Sequence, residues 1–320
     1  MGLRFFAACA LAFWLALPGA AQPKVRLAHL LRAHEGPVLD VAVAPNGQRW
    51  ASAGQDGKIR FWDRLGRPTG EWNLGAPVRH IRFSQDGTRF VAVSKGVARY
   101  FTAAGKALQR VSIGEGNLAF SADLRLVARS DGGLTVFEVG ATRPVVSLKT
   151  LGWEGSRVQC LAISPDRRKV VLGGSSYNPA APGLPDDSVA WEYDLVRGKL
   201  GKSETTGEFG TQWAAYAPDG RRALAGNRHP DSDTAGWLQL FPPVQGVPQA
   251  FAGVVEEVQF SPDARLMAVC EKETTLWDLR SGTRLASLGL GFPQAALAND
   301  FAVTGDSQGQ LQIWEWTELL

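Results

Sequence analysis

Residues 33–63 read AHEGPVLDVAVAPNGQRWASAGQDGKIRFWD. Val38, Val41 and Val43 mark a first short strand. Pro45-Asn46-Gly47 is a turn, because Pro pre-sets one backbone angle and Asn-Gly tolerates the left-handed region. A second strand runs to Ala53, Gln55-Asp56-Gly57 turns the chain again, and a third strand closes on Trp62-Asp63. Three strands of period-2 alternation joined by tight turns form one antiparallel unit, which cannot bury both faces alone.

The unit recurs. The first turn reappears as Gln85-Asp86-Gly87, Ala122-Asp123, Ser164-Pro165-Asp166, Pro218-Asp219-Gly220, Ser261-Pro262-Asp263 and Asn299-Asp300. The Asx residues Asn46, Asp86, Asp123, Asp166, Asp219, Asp263 and Asn299 stand 36 to 53 residues apart, the period of four-stranded units arranged in a ring. An aromatic ends the third strand of each repeat: Trp62, Phe101, Phe137, Tyr193, Phe241, Trp277 and Trp314. Asp or Glu follows it except at Phe101-Thr102 and Phe241-Pro242.

Residues 33–63, with His34 after Ala33 and the closing Trp62-Asp63, resemble the WD repeat, and the resemblance extends over residues 24–320. It implies an all-β fold, a seven-bladed β-propeller of four-stranded blades. The last repeat ends after its third strand, so the segment Lys24–Leu31 is expected to supply the fourth. In this family the residues at His34, Ser52, Asp56 and Trp62 form a structural hydrogen-bond chain, which would account for their likeness to a Ser/His/Asp catalytic set. Only repeat 1 carries all four, leaving the other blades to apolar packing.

Residues 1–21 read as a secretory signal peptide, with Arg4, an apolar run from Phe5 to Leu17, and Ala20-Ala21 before Gln22. Thirteen apolar residues fall short of the ~20 that span a bilayer. The expected mature chain is residues 22–320, exported to the periplasm or medium, without a transmembrane segment. Cys160 and Cys270 then remain, and two buried free thiols are expected rather than a disulfide scaffold.

Lys and Arg number 34 against 31 Asp and Glu, a formal charge of +3. That balance argues against a nucleic-acid binder, which would normally show a concentrated basic surface. Gly305-Asp306-Ser307-Gln308-Gly309 spells a nucleophile elbow, yet the alternating segment after it reads as a strand where the elbow needs a helix. His229, Asp231 and Asp233 lie close together but carry no calcium-loop or zinc pattern, so no metal and no cofactor is expected. Asp40, His80, Asn117, Cys160, Trp213 and Glu257 occupy aligned positions on first strands, which line the central channel of a propeller. They read as inter-blade contacts, with a ligand at the channel mouth as the sharper alternative.

Repeats 4 and 5 are enlarged between their second and third strands, at Ser175–Asp187 and Asn227–Ala235. Insertions in repeats usually map to the binding face. The expected partner-binding residues are therefore Tyr177, Asp186, Asp187, His229, Asp231 and Asp233, joined by Trp153 and Glu154 before repeat 4 and Glu208 and Phe209 before repeat 5. The function expected is a non-enzymatic scaffold for another protein of the cell envelope. The alternatives are a lactonase- or hydrolase-like propeller enzyme, or a binder of glycans or small molecules using Trp153, Tyr177 and Trp213.

Overall fold

The computed structural model describes residues 25–131, 133–149, 157–176, 187–201, 204–208, 210–227, 236–270, 273–290 and 294–316. These residues contain strands and turns and no helix.

They form seven antiparallel sheets. Blade 1 is built from Val38–Val43, Arg49–Gly54, Lys58–Asp63 and Pro68–Asn73, each strand paired with the next in sequence. The inner strands of blades 2 to 7 are His80–Phe83, Asn117–Phe120, Arg157–Ile163, Thr211–Tyr216, Glu257–Phe260 and Gln294–Leu297. The inner strand of blade 1 touches those of both blade 2 and blade 7, so the sheets stand in a ring. In the seventh sheet the outer strand is Val25–Arg32, antiparallel to Gln310–Trp316, with Val25 opposite Trp316 and Arg32 opposite Gln310.

Alternation explains why a ring forms. Each strand sends one row of side chains to the preceding blade and the other row to the following blade. The result is seven separate apolar cores, one at each blade-to-blade interface. Between blades 7 and 1, Val41, Trp50 and Trp62 pack on Phe301, Val303 and Ile313. Between blades 1 and 2, Ala42, Ala51 and Ile59 pack on Ile81, Phe90 and Ala92.

The seven third-strand aromatics hold one register. Trp62 lies opposite Trp50, Phe101 opposite Phe90, Phe137 opposite Val127, and Tyr193 opposite Val170. Phe241 lies opposite Arg222, Trp277 opposite Met267, and Trp314 opposite Ala302. The acid after the aromatic caps the next turn: Asp63 accepts the N–H groups of Leu65 and Arg67, and Asp194 those of Val196 and Arg197.

The first turns repeat a finer device. Buried Ser84, Ser121, Ser164 and Ser261 donate to Asp86, Asp123, Asp166 and Asp263 at 2.6–2.7 Å. Each serine oxygen also accepts a backbone N–H from the start of the second strand. The residue after the Asx adopts the left-handed region: Gly47, Gly87 and Gly220 in three blades, but Leu124, Arg167 and Ala264 in three others, at φ 56°, 59° and 57°.

Three sequence expectations need correction. The turn of blade 7 is shorter, with Leu297 opposite Ala302, whereas Val43 lies opposite Trp50 in blade 1. Counted from the end of the inner strand, Asp300 rather than Asn299 then corresponds to Asn46. The enlarged connections are also narrower than their sequence spans. Ser175 and Ser176 belong to the second strand of blade 4 and Asp187 opens the third, Ser176 opposite Asp187. Asn227 ends a strand of blade 5 opposite Gly236. Finally, Glu208 is no inter-blade residue: it lies in the outer edge of blade 4, which is split into Lys199–Leu200 and Glu204–Glu208, both paired with Asp187–Asp194.

Candidate functional site

Five of the aligned polar residues of the inner strands bond across neighbouring blades. Asp40 accepts the N–H of Ile81 in the next blade at 2.8 Å. Asn117 donates to the carbonyl of Val158 at 2.9 Å, Cys160 to that of Thr211 at 3.4 Å, and Trp213 to that of Val258 at 3.1 Å. Glu257 accepts the N–H of Ala295 at 3.1 Å. Each reaches from its own inner strand to the inner strand of the following blade. These five members of the set are stitches around the ring, each satisfying a backbone group of the neighbouring blade, whereas His80 lines the channel. Burial holds the Cys160 thiol well above its usual range, so it stays protonated as a donor.

One charged group missed at the sequence level joins this belt. Arg82 donates through Nη1 to Asp40 at 2.6 Å and to the carbonyl of Ile81 at 2.6 Å. Asp40 and Glu257 are each 3% exposed, while the Arg82 side chain is 34% exposed. Burial, followed by the negative charge of Asp40, raises the Glu257 carboxyl to about 7, even though Gln259 donates to it at 2.6 Å. Burial also lowers the His80 imidazole and keeps it neutral at neutral pH. Alignment makes Arg82 visible: its repeat position carries Ala42, Ala119, Ala162, Ala215 and Ala296 in five blades, Gln259 in another, and a guanidinium only in blade 2.

These strands enclose a channel of about 470 Å³. At its first-turn end stand the last residues of the inner strands, among them Phe83, Phe120, Tyr216 and Phe260, with Pro45, Pro165, Pro218 and Pro262 beyond them. Asp40 and Glu257 lie behind the lining; Arg82 is part of it.

The blade 1 set is a structural chain. Trp62 Nε1 donates to Ser52 Oγ at 3.1 Å, Ser52 Oγ lies 2.8 Å from His34 Nε2, and His34 Nδ1 lies 3.0 Å from Asp56 Oδ1. Burial lowers the His34 imidazole despite Asp56, so a neutral ring donates to Asp56 and accepts from Ser52. Trp62 stacks on Trp50 at 5.1 Å. The other blades are not left to apolar packing alone: Trp277 donates to Thr275 at 3.0 Å and Trp314 to Thr304 at 3.2 Å.

Ser307 sits in the turn between Phe301–Gly305 and Gln310–Trp316, where Asp306 accepts the N–H groups of Gln308 and Gln310. It is a hairpin turn rather than a strand-to-helix elbow. Trp153, Glu154, Tyr177, Asp186, Phe209, His229, Asp231 and Asp233 lie outside the described residues, as do the side chains of Asp187, Glu208 and Cys270. Among the described residues no three His, Cys, Asp or Glu side chains gather as metal ligands, and no helix is long and apolar enough to cross a membrane.

Residues 25–63 match the family model described as WD domain, G-beta repeat. No curated protein matches the chain.

Proposed function

The chain is a seven-bladed β-propeller carrying a WD repeat, and we propose that it acts outside the cytoplasm as a non-enzymatic platform holding another protein of the cell envelope. WD propellers characteristically serve as rigid platforms, and a closed ring of seven packed interfaces suits that use.

The observation that carries the reading is uneven connection length on one face. Antiparallel strands put every second-to-third connection at the same end of the ring as the blade-to-blade connections. Those connections span residues 55–57 in blade 1, 95–96 in blade 2 and 271–272 in blade 6, but 177–186 in blade 4 and 228–235 in blade 5. The two long ones belong to neighbouring blades. Their sequences and the adjoining segments hold Trp153, Tyr177 and Phe209, residue types enriched at interfaces. Glu154, Asp186, Asp231 and Asp233 make the same segments acidic, which favours a locally basic partner and an on-rate sensitive to salt. Export rests on the Arg4 and Phe5–Leu17 pattern.

Affinity capture from the envelope fraction, read by mass spectrometry, tests the platform. Trp153→Ala with Phe209→Ala is expected to release the captured protein and leave the melting temperature close to that of the parent. Exposed positions of the first turns at the other end, Gln48→Ala and Thr88→Ala, serve as controls; partner loss on these alone would overturn the assignment of the face. Intact mass checks export: the secreted chain is expected to begin near Gln22, and one retaining Met1 would contradict processing.

A further inference from the structure

We propose that the central channel binds a monoanionic carboxylate carried on an apolar, planar body, with Arg82 as the group that holds the carboxylate. The site lies within the ring itself and does not depend on the long connections of blades 4 and 5.

The channel, at about 470 Å³, falls within the ~300–1,000 Å³ typical of small-ligand sites. Among the described residues its lining holds no carboxylate and, because burial keeps His80 neutral, one permanent charge, that of Arg82, with Asp40 and Glu257 behind it. Asp40 fixes Arg82 through Nη1 alone, and Ile81 accepts from the same nitrogen. Nε and Nη2 have no hydrogen-bond partner among the described residues, and the side chain is partly exposed where it lines the channel. A guanidinium held at one corner with its remaining N–H groups open offers the fork that a carboxylate fits. A phosphate dianion would need more positive charge than one arginine already paired with Asp40 supplies. A cationic ligand would meet the guanidinium first.

The apolar half of the ligand follows from the walls. Phe83, Phe120, Tyr216 and Phe260 come from four different inner strands at the first-turn end of the channel. Each is partly buried against an inter-blade core while also lining the cavity, and such an aromatic rim favours a flat apolar partner. Alanine at the Arg82 position in five blades, four of them buried in the inter-blade cores, keeps the wall short at that level. The shared chemistry fits either a free aromatic acid or the C-terminal carboxylate of a protein ending in an aromatic residue.

Calorimetric titration of the purified protein with 2-naphthoate, 2-naphthylmethanol and 2-naphthylmethylammonium separates the contributions. The carboxylate is expected to bind at least about tenfold more tightly than the alcohol, from charge-assisted hydrogen bonds to Arg82, and the ammonium most weakly. Arg82→Gln is expected to reduce the carboxylate to the affinity of the alcohol. Ala215→Leu, which narrows the channel without touching Arg82, is expected to weaken both. A second arm compares a hexapeptide ending in Trp-Phe with its C-terminal amide. Preference for the free-acid peptide over naphthoate supports a protein tail as the source, and the reverse supports a small acid. Equal binding of the three naphthyl probes by the parent protein would overturn the proposal, as would no naphthoate binding at millimolar concentration. So would an unchanged affinity in a folded Arg82→Gln protein.

Discussion

The Asp40 carboxylate in blade 1 accepts the backbone N–H of Ile81 in blade 2 at 2.8 Å while holding Arg82 at 2.6 Å. One side chain therefore joins two blades and orients the only permanent charge that the described residues give the channel lining. Asp40→Ala is expected to cost about 2–3 kcal/mol, below the ~3–5 kcal/mol of a fully buried broken pair because Arg82 keeps access to the channel. Asp40→Asn, which keeps an acceptor for Ile81, is expected to cost less. Chemical denaturation checks the order; equal stabilities of Asp40→Ala and the parent would contradict the stitching role.

His34→Ala is expected to destabilise the protein by about 1–3 kcal/mol, since it leaves Ser52 and Asp56 without their common partner in a buried chain. Partner capture should survive wherever the variant is folded. A melting temperature equal to that of the parent would remove the structural assignment of the set.

Glu257 sets a pH dependence of definite sign. Its folded-state value, about 7, lies above the ordinary carboxyl value of 4.5. Its contribution is thus fully present below about pH 4.5 and is lost as pH rises through about 7. The groups facing it are Asp40, Arg82, Gln259 and the N–H of Ala295. Glu257→Gln is expected to gain on the parent in thermal stability between these values and to keep a constant difference above them. At the acid end the opposite sign holds. Hydrogen bonds from Ser84 and Thr88 lower Asp86 to about 2, and Asp123 and Asp166 are also lowered. Their contribution, present above about pH 3.8, is lost as pH falls through the folded values. Parallel melting curves of parent and Glu257→Gln across pH 4 to 8 would contradict the first part.

Ala264 adopts φ 57° in the first turn of blade 6, where blades 1, 2 and 5 carry glycine. The left-handed conformation costs a non-glycine residue about 1–2 kcal/mol, and glycine returns about 0.5–1 kcal/mol of that through unfolded-state entropy. Ala264→Gly is expected to raise stability by up to about 1 kcal/mol. A fall in melting temperature would mean that the turn holds no such strain.

The fold was legible because each blade repeats a local pattern. The Asx turn and the closing aromatic come around often enough that seven copies outvote the weak ones, and Phe241, despite the Pro242 after it, keeps the register of Trp62. What was lost lay where local counting slips. The blade 7 turn is short, so Asn299 matched the pattern as a letter while Asp300 occupies the position. Ser175, Ser176 and Asp187 are polar and read as loop, yet a hairpin continues through polar residues once its backbone is paired. Arg82 lies two positions beyond the polar column of the first strands, which does not report on it. Its own column, mostly alanine, carries information only after the strands are aligned. The partner face is located by the strand bounds that flank the long connections of blades 4 and 5, and its residue types are read from the sequence.

The seven separate interfacial cores have a geometric consequence. Each blade fills a wedge of about one-seventh of a turn, and the twist of the sheets is matched to that angle. An open stack of repeats can lose or gain a unit at its end and cover the new terminus with a polar cap. Here there is no end: removing a unit exposes two apolar flanks at once, and adding one demands that every wedge narrow together. Lineages of this chain are therefore expected to change length by lengthening or trimming the connections between strands, while the number of wedges stays locked by arithmetic.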